Sequence, residues 1–170
     1  MITVSQQKFG LPGFEVLVPA ASADDFAARL TSTTVAKVED EALLENLRVA
    51  LGRPAAGAEL TADFSPLEVE MGWACSETKG CYTGQEIIAR QRTYDKVTRT
   101  LVGLRSDAPL VVGATLTQDG REMGRITSAA RHPQDGTPIA LAVVKRPANT
   151  SGTRLQSDEQ VVEVVALPFE

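Results

Sequence analysis

The sequence predicts an α+β protein in which a layer of strands and helices is followed by a small antiparallel β-barrel. Two observations support this fold class. Strand-like and helix-like patterns alternate over the first part of the chain, whereas short β segments separated by turn residues follow one another from about residue 98. We therefore place a boundary near residue 97 and expect domains at 1–97 and 98–170. With 170 residues, 43% of them hydrophobic, the chain can build a core without disulfide or metal cross-links.

The first predicted domain alternates between strands and helices. Apolar residues at every second position from Phe14 to Val18 favour a strand, and leucines spaced at one helical face between Leu43 and Leu51 favour a helix. The predicted elements, in order, are a strand at 14–18, a helix capped by Ser22, a strand at 35–38, a helix capped by Asp40 that runs to about Leu51, and a strand or extended segment at 67–71.

A third helix is predicted over residues 84–93, after Gly80 interrupts the chain. Trp73, ahead of it, is expected to be a buried anchor. We expect one side of this helix to face the core and the other to face solvent, with Ile87, Ile88 and Tyr94 pointing inward and Arg90 and Arg92 pointing outward.

The second predicted domain consists of short strands. Asp119-Gly120 is a strong signal for a tight hairpin turn, and other turn residues recur at regular intervals. This pattern of short strands and turns is typical of a small closed barrel. The predicted strands lie at 100–105, 114–118, 123–130, 138–145 and 161–167.

Composition restricts the classes of function. A net charge of -5 argues against a nucleic-acid partner, because such a surface does not attract a phosphate backbone. Two cysteines and one histidine cannot fill a tetrahedral zinc site of nitrogen and sulfur ligands, so no metal site is expected. No apolar run approaches the roughly 20 residues that span a bilayer, and no signal peptide is visible at the start. We expect no membrane partner and a cytoplasmic location.

Basic residues are concentrated between positions 79 and 99. Five basic residues minus two acidic residues give this segment a local charge of +3. Two interpretations remain open: a site for an anionic ligand such as a polyglutamate tail or RNA, and an ordinary solvated helix face. The basic residues are Lys79, Arg90, Arg92, Lys96 and Arg99.

Cys81 lies between Gly80 and the predicted helix. The positive end of a helix favours a thiolate, and Lys79 lies close by in sequence, so these surroundings favour a reactive cysteine. The alternative is that Cys81 is an inert small residue in a turn. Glu86 and Arg90, four residues apart, also have an ordinary explanation as an ion pair on a helix surface.

The run Lys79-Gly-Cys-Tyr-Thr-Gly-Gln-Glu-Ile-Ile-Ala-Arg90 resembles the signature of the YgfZ-type folate-binding proteins that support iron–sulfur enzymes. These proteins are similar in fold to the glycine cleavage T-protein, an aminomethyltransferase. Further segments of this sequence resemble the same family: 9–19, 47–54, 64–68, 124–128, 139–143 and 167–169.

The resemblance implies the C-terminal part of the aminomethyltransferase-like fold, with an α/β (ferredoxin-like) layer before the barrel. About a hundred residues of the family fold that precede Phe14 are missing here, and we expect them on a separate chain or absent altogether. Ala50 stands where the T-protein has an acid that contacts the pterin.

The resemblance also implies a site. Cys81 would be the functional thiol, and tetrahydrofolate would be the cofactor. The partners would be a folate-type small molecule and iron–sulfur client enzymes, such as those that modify tRNA. The motif residues around the thiol are Lys79, Gly80, Tyr82, Gly84, Gln85, Glu86 and Arg90, and the implied folate contacts are Arg48, Tyr82, Glu86 and Arg90.

Three functions are therefore weighed. The leading one is YgfZ-like support of the assembly or repair of iron–sulfur clusters, which is not a classical enzyme activity. The first alternative is a folate-dependent aminomethyltransferase that transfers a one-carbon unit to tetrahydrofolate. The second alternative is a non-catalytic interaction module.

Overall fold

The computed structural model describes residues 1–6, 12–33 and 40–170. The chain separates into two compact units, Met1–Leu44 and Glu45–Glu170. Helices and strands are mixed in the N-terminal part, and a closed barrel of six antiparallel strands follows. The predicted fold class is therefore confirmed. The domain boundary near residue 97 stays a prediction.

The first unit contains a two-stranded sheet and a helix. Strand β1 (Ile2–Gln6) pairs antiparallel with β2 (Gly13–Leu17), so that Val4 lies opposite Glu15. The sequence pattern predicts β2 but not β1. Helix α1 (Ala23–Thr31) continues directly from a 3-10 turn at Ala20–Ser22. Ser22 stands at the N-cap position, as predicted, but its side chain makes no capping hydrogen bond.

Helix α2 (Glu41–Ala50) begins as predicted. The Asp40 carboxylate accepts hydrogen bonds from the amides of Ala42 (2.9 Å) and Leu43 (3.1 Å), which satisfies two donors that the first helical turn leaves free. Gly52, at φ +66°, follows the helix in the left-handed conformation that glycine adopts most readily. The strand predicted at 35–38 lies outside the described residues.

The segment after Pro66 is not extended. It forms consecutive turns, in which the Met71 amide donates to the Pro66 carbonyl at 2.8 Å, and Glu70 has a positive φ of 59°. The strand predicted at 67–71 is therefore wrong. Trp73, in a 3-10 turn at Gly72–Ala74, is 76% exposed and is not the predicted anchor. Val69, four residues earlier, is buried.

Helix α3 (Gln85–Thr93) follows Gly84, which has a φ of 87°. Its predicted orientation is partly wrong. Ile87 is 63% exposed and Tyr94 is 66% exposed, whereas Ile88 is half-buried. The inward surface of this nine-residue helix is too narrow to cover three large side chains, and Ile88 occupies it.

The barrel order is β3-β6-β5-β4-β7-β8. The sequence patterns predict five of these strands, and the structure adds β7. The strand pairs β4/β5 and β7/β8 are hairpins, whereas β3 pairs with β6 and β8. The bounds are β3 (Arg99–Arg105), β4 (Thr115–Gln118), β5 (Arg121–Arg131), β6 (Pro138–Lys145), β7 (Arg154–Ser157) and β8 (Gln160–Val165).

Strand β6 is buried on both faces, which explains its almost unbroken apolar sequence. Ala140, Ala142 and Val144 point into the barrel. Ile139 and its alternate neighbours point outward into a second core, where they meet the end of α2 and the turns around Val69. The second core attaches residues 45–71 to the barrel wall.

Candidate functional site

The loop before α3 is folded back on itself. The Tyr82 hydroxyl donates to the Ser76 carbonyl at 3.1 Å, and the Lys79 amide donates to the Ser76 hydroxyl at 3.1 Å. The Lys79 ammonium lies 4.7 Å from the centre of the Tyr82 ring. These contacts fix the Tyr82 ring beside the start of the helix, where the Gln85 amide donates to the Tyr82 carbonyl at 3.2 Å.

A cavity of about 410 Å³ lies between this loop and α3. Small-molecule sites typically occupy roughly 300–1,000 Å³, so the cavity is large enough for a ligand of modest size. Its lining combines aliphatic side chains with a phenol, an amide and an ion pair. The lining residues are Ser76, Glu77, Tyr82, Gln85, Ile88, Ala89, Arg92 and Thr93.

Cys81 is an exposed free thiol three residues before Gly84, and Gly84 directly precedes α3. Cys75 is also free and is half-buried, with its sulfur 3.7 Å from the Met71 carbonyl oxygen. Within residues 1–6, 12–33 and 40–170 there is no group of three or more His, Cys, Asp or Glu side chains that could hold a metal ion. Cys81 is thus open to a partner molecule.

Glu86 and Arg90 of the motif lie on the exposed side of α3. Glu86 and Arg90 form an ion pair at 3.3 Å with both side chains mostly exposed, as the ordinary interpretation of their spacing predicts. Gly80 has open space around the position that a Cβ would take. Of the proposed folate contacts, only Tyr82 reaches the cavity in the described part of the chain.

Arg48 belongs to a separate network that is almost completely buried. Its guanidinium lies 3.3 Å from Glu59, which has no exposed surface, and donates to the Ser128 hydroxyl at 2.7 Å and to the Arg53 carbonyl at 2.5 Å. Ser128 in turn donates to Glu59 at 2.6 Å. These bonds tie α2 and the loop around Glu59 to strand β5. A folate contact by Arg48 would require some of them to be exchanged.

Charges in this network shift the ionisation of two groups. Burial opposes the charge of Arg48, but hydrogen bonding to Glu45 and the charges of Glu45 and Glu59 outweigh it and raise the pKa of Arg48. The hydrogen bond from Arg48 lowers the pKa of Glu45 below its usual value near 4.5. Arg48 therefore stays charged and keeps the Glu59 carboxylate compensated.

Ala50, at the position where the resemblance implies an acid, is buried in the second core, and its carbonyl accepts a hydrogen bond from the Phe169 amide at 2.8 Å. The basic residues of the 79–99 segment all have a partner. Lys79 and Lys96 lie over tyrosine rings, Arg90 pairs with Glu86, Arg92 with Glu77, and Arg99 with Glu68.

Several residues of these sites cannot be recognised from the sequence alone. Glu77 and Arg92 were not recognised as a pair, because they are 15 residues apart and meet only when the loop folds against α3. Glu59 sits in an irregular segment, and no periodic signal marks it as buried. Gln85, in contrast, was identified within the motif.

No helix in the part of the chain that the structure describes has both the length and the apolar character needed to cross a membrane.

The chain resembles known proteins along most of its length. Residues 99–169 match the glycine cleavage T-protein C-terminal barrel domain. An aminomethyltransferase of Saccharopolyspora erythraea is 40% identical over 134 residues, which are 74% of this chain and 36% of the relative. A protein of Arabidopsis thaliana is 37% identical over 122 residues, which are 72% of this chain and 28% of the relative. It is named as an inferred transferase of the chloroplast.

A solved structure extends the likeness to the fold. The crystal structure of the glycine cleavage system aminomethyltransferase T from Bartonella henselae superposes with a TM-score of 0.84, at 24% identity, over 96% of this chain and 48% of that one. The chain thus spans less than half of the length of each of these three proteins. It has the fold of the glycine cleavage T-proteins, and its residues 99–169 are similar to the C-terminal barrel domain of that family.

Proposed function

We propose that this chain takes part in folate-dependent one-carbon transfer of the aminomethyltransferase type, with a folate-type ligand in the cavity between the 76–82 loop and α3. The observation that carries the proposal is the position of this cavity: two residues of the signature motif, Tyr82 and Gln85, line it. The T-protein fold of the chain and the names of its relatives support the same class of function.

The lining residues suit a flat, partly polar ligand. The Tyr82 ring is held by the hydrogen bond of its hydroxyl to Ser76 and offers a face for stacking. The Gln85 amide supplies one donor group and one acceptor, and Ile88 and Ala89 add apolar surface to the lining. These residues would bind and orient tetrahydrofolate, which would itself accept the one-carbon unit.

Isothermal titration of the whole chain with tetrahydrofolate tests this proposal. We expect binding in the micromolar range, and about a tenfold loss of affinity in Tyr82→Ala, because a stacking surface disappears. Tyr94→Ala is the matched control, since Tyr94 is 66% exposed and does not line the cavity. If the wild-type chain bound no tetrahydrofolate, the non-catalytic interaction module would become the better explanation.

A second candidate function is YgfZ-like support of the assembly or repair of iron–sulfur clusters, with iron–sulfur client enzymes as partners. The observation that favours it is the exposed, free Cys81 within the motif. A thiolate at this place would ligate iron transiently, since thiolates are preferred ligands of iron–sulfur clusters.

Complementation of a strain that lacks the gene separates the two functions. We expect Cys81→Ser to fail in restoring iron–sulfur enzyme activity if the second function holds, whereas Cys75→Ser, the half-buried control, restores it. Full activity with Cys81→Ser would leave folate-dependent transfer as the proposal.

The cytoplasmic location is likewise a proposal, and fractionation of cells with an antibody against the chain tests it.

A further inference from the structure

Arg92 is the cationic residue of the cavity, and its two terminal nitrogens have different partners. One nitrogen, Nη2, donates to the Gly72 carbonyl at 2.8 Å and so anchors the guanidinium to the 3-10 turn at Gly72–Ala74. The other nitrogen, Nη1, pairs with the carboxylate of Glu77. The Arg92 side chain is 31% exposed and the Glu77 side chain is 73% exposed. The arginine is therefore anchored, and its acidic partner reaches it from solvent.

An ion pair of this kind is easily exchanged. A surface pair between an acid and a base contributes at most about 1 kcal/mol, because water solvates both groups nearly as well. When the carboxylate of Glu77 moves away, it returns to water at little cost. The Nη1 group of Arg92 would then meet another carboxylate with the same charge-assisted hydrogen bond.

The charges of the cavity agree with this exchange. Arg92 and Glu77 are the two charged residues among the described lining residues, and they compensate each other when no ligand is bound. A ligand that brought a carboxylate without displacing Glu77 would place two acids against one arginine. A ligand that displaced Glu77 would restore one-to-one pairing inside the cavity.

We propose that Arg92 is the carboxylate-binding residue of this cavity and that Glu77 is an internal carboxylate which the ligand displaces. The ligand is then a ring-bearing molecule with a free carboxylate at one end, such as the glutamyl end of a folate, and its ring lies toward Tyr82. This inference rests on the proposed function for the ligand class and adds which end of the ligand is recognised and by which residue.

The test compares two probes, only one of which carries a carboxylate. One is 5-formyltetrahydrofolate, which carries the p-aminobenzoylglutamyl group, and the other is 6-methyltetrahydropterin, which lacks that whole group and the formyl group. Trp73, the one tryptophan of the chain, directly follows Gly72, whose carbonyl holds Arg92, so its fluorescence is a suitable readout beside calorimetry.

We expect Arg92→Met to weaken binding of 5-formyltetrahydrofolate about tenfold or more and to change binding of the pterin less than threefold. Glu77→Gln should tighten binding of the folate probe by up to about fivefold, because the competing carboxylate is gone. Lys96→Met, which removes a positive charge just beyond α3 from a residue that does not line the cavity, should leave both affinities within twofold.

Several results would overturn the inference. The inference is wrong if Arg92→Met binds the folate probe as tightly as wild type does. It is also wrong if Glu77→Gln binds the folate probe more weakly than wild type does. Should Arg92→Met fail to fold, as judged by circular dichroism, Arg92→Lys replaces it, and unchanged folate affinity in that variant also counts against the inference. If the wild-type chain binds the pterin and the folate equally well, the carboxylate site is wrong while the proposed function stands, and if it binds neither, both are wrong.

Discussion

Arg48→Met tests the buried network that joins α2 to the barrel. Methionine keeps the aliphatic stem of the side chain but removes the guanidinium that lies 3.3 Å from Glu59. Glu59, with no exposed surface, would retain the Ala55 amide and the Ser128 hydroxyl as its donors within the described residues. Removal of one partner from a buried pair costs about 3–5 kcal/mol, because the other charge stays buried without compensation. A domain of ordinary stability, about 5–15 kcal/mol, would lose a large share of it.

Urea unfolding at neutral pH, followed by far-UV circular dichroism, measures this loss as a lower midpoint of the transition. Glu45→Gln is the matched control. It removes the other acid that contacts Arg48, but the Glu45 side chain is 49% exposed, so the expected loss of stability is below about 1 kcal/mol. The difference between the two variants isolates the effect of burial.

The double variant Arg48→Met/Glu59→Met completes the test. Apolar side chains in place of both partners leave no buried charge, so we expect the double variant to be more stable than Arg48→Met alone. The reasoning is refuted if Arg48→Met loses no more stability than Glu45→Gln does, or if the double variant is less stable than Arg48→Met.

Two further predictions concern stability. In Gly124→Ala the new Cβ would lie 2.3 Å from the Val143 carbonyl oxygen, so we expect the free energy of unfolding to fall by about 1–3 kcal/mol in thermal denaturation, whereas Gly80→Ala, with open space around it, should change it by less than about 0.5 kcal/mol. The second prediction concerns the loss of stability as pH falls. Because the hydrogen bond from Arg48 lowers the pKa of Glu45 in the folded state, the stabilisation is present above the usual value near 4.5 and is lost as pH falls through the lowered pKa. Unfolding curves between pH 6 and pH 3 should therefore show a smaller loss of stability in Glu45→Gln than in wild type, and equal slopes would contradict the prediction.

Local patterns predicted most of the barrel. Apolar runs and the Asp119-Gly120 turn identified five of its six strands, because each strand must cover a core on one or both faces. Strand β7 was not predicted, because Arg154–Ser157 contains a single large apolar residue, Leu155. A four-residue strand of this kind is defined by its pairing with β4 and β8, which lie elsewhere in the sequence.

The strand predicted at 67–71 fails because of a distant partner. The alternation in this segment is typical of a strand, but Glu68 is buried because Arg99, 31 positions further on, pairs with it at 2.8 Å. A pattern that counts Glu68 as solvent-facing cannot include this contact. Trp73 was expected in the core but is 76% exposed.

Two residues of the motif line the cavity, whereas the geometry of the cavity could not be predicted from the sequence. The motif covers residues 79–90, and Tyr82 and Gln85 line the cavity. The spacing of Glu86 and Arg90 does predict their ion pair on the exposed side of α3. The pairing of Glu77 with Arg92 could not be predicted, because it depends on how the loop folds against α3.

The pairing of β3 has a consequence for synthesis on the ribosome. Its two neighbours in the barrel are β6 and β8, and both are made later than the hairpin partners β4 and β5. A nascent chain must therefore carry the apolar strand Arg99–Arg105 with both edges unpaired until residues 138–145 have left the exit tunnel. During that interval β3 is the segment most open to intermolecular pairing, so a pause in translation between β5 and β6 would favour aggregation or the recruitment of a chaperone.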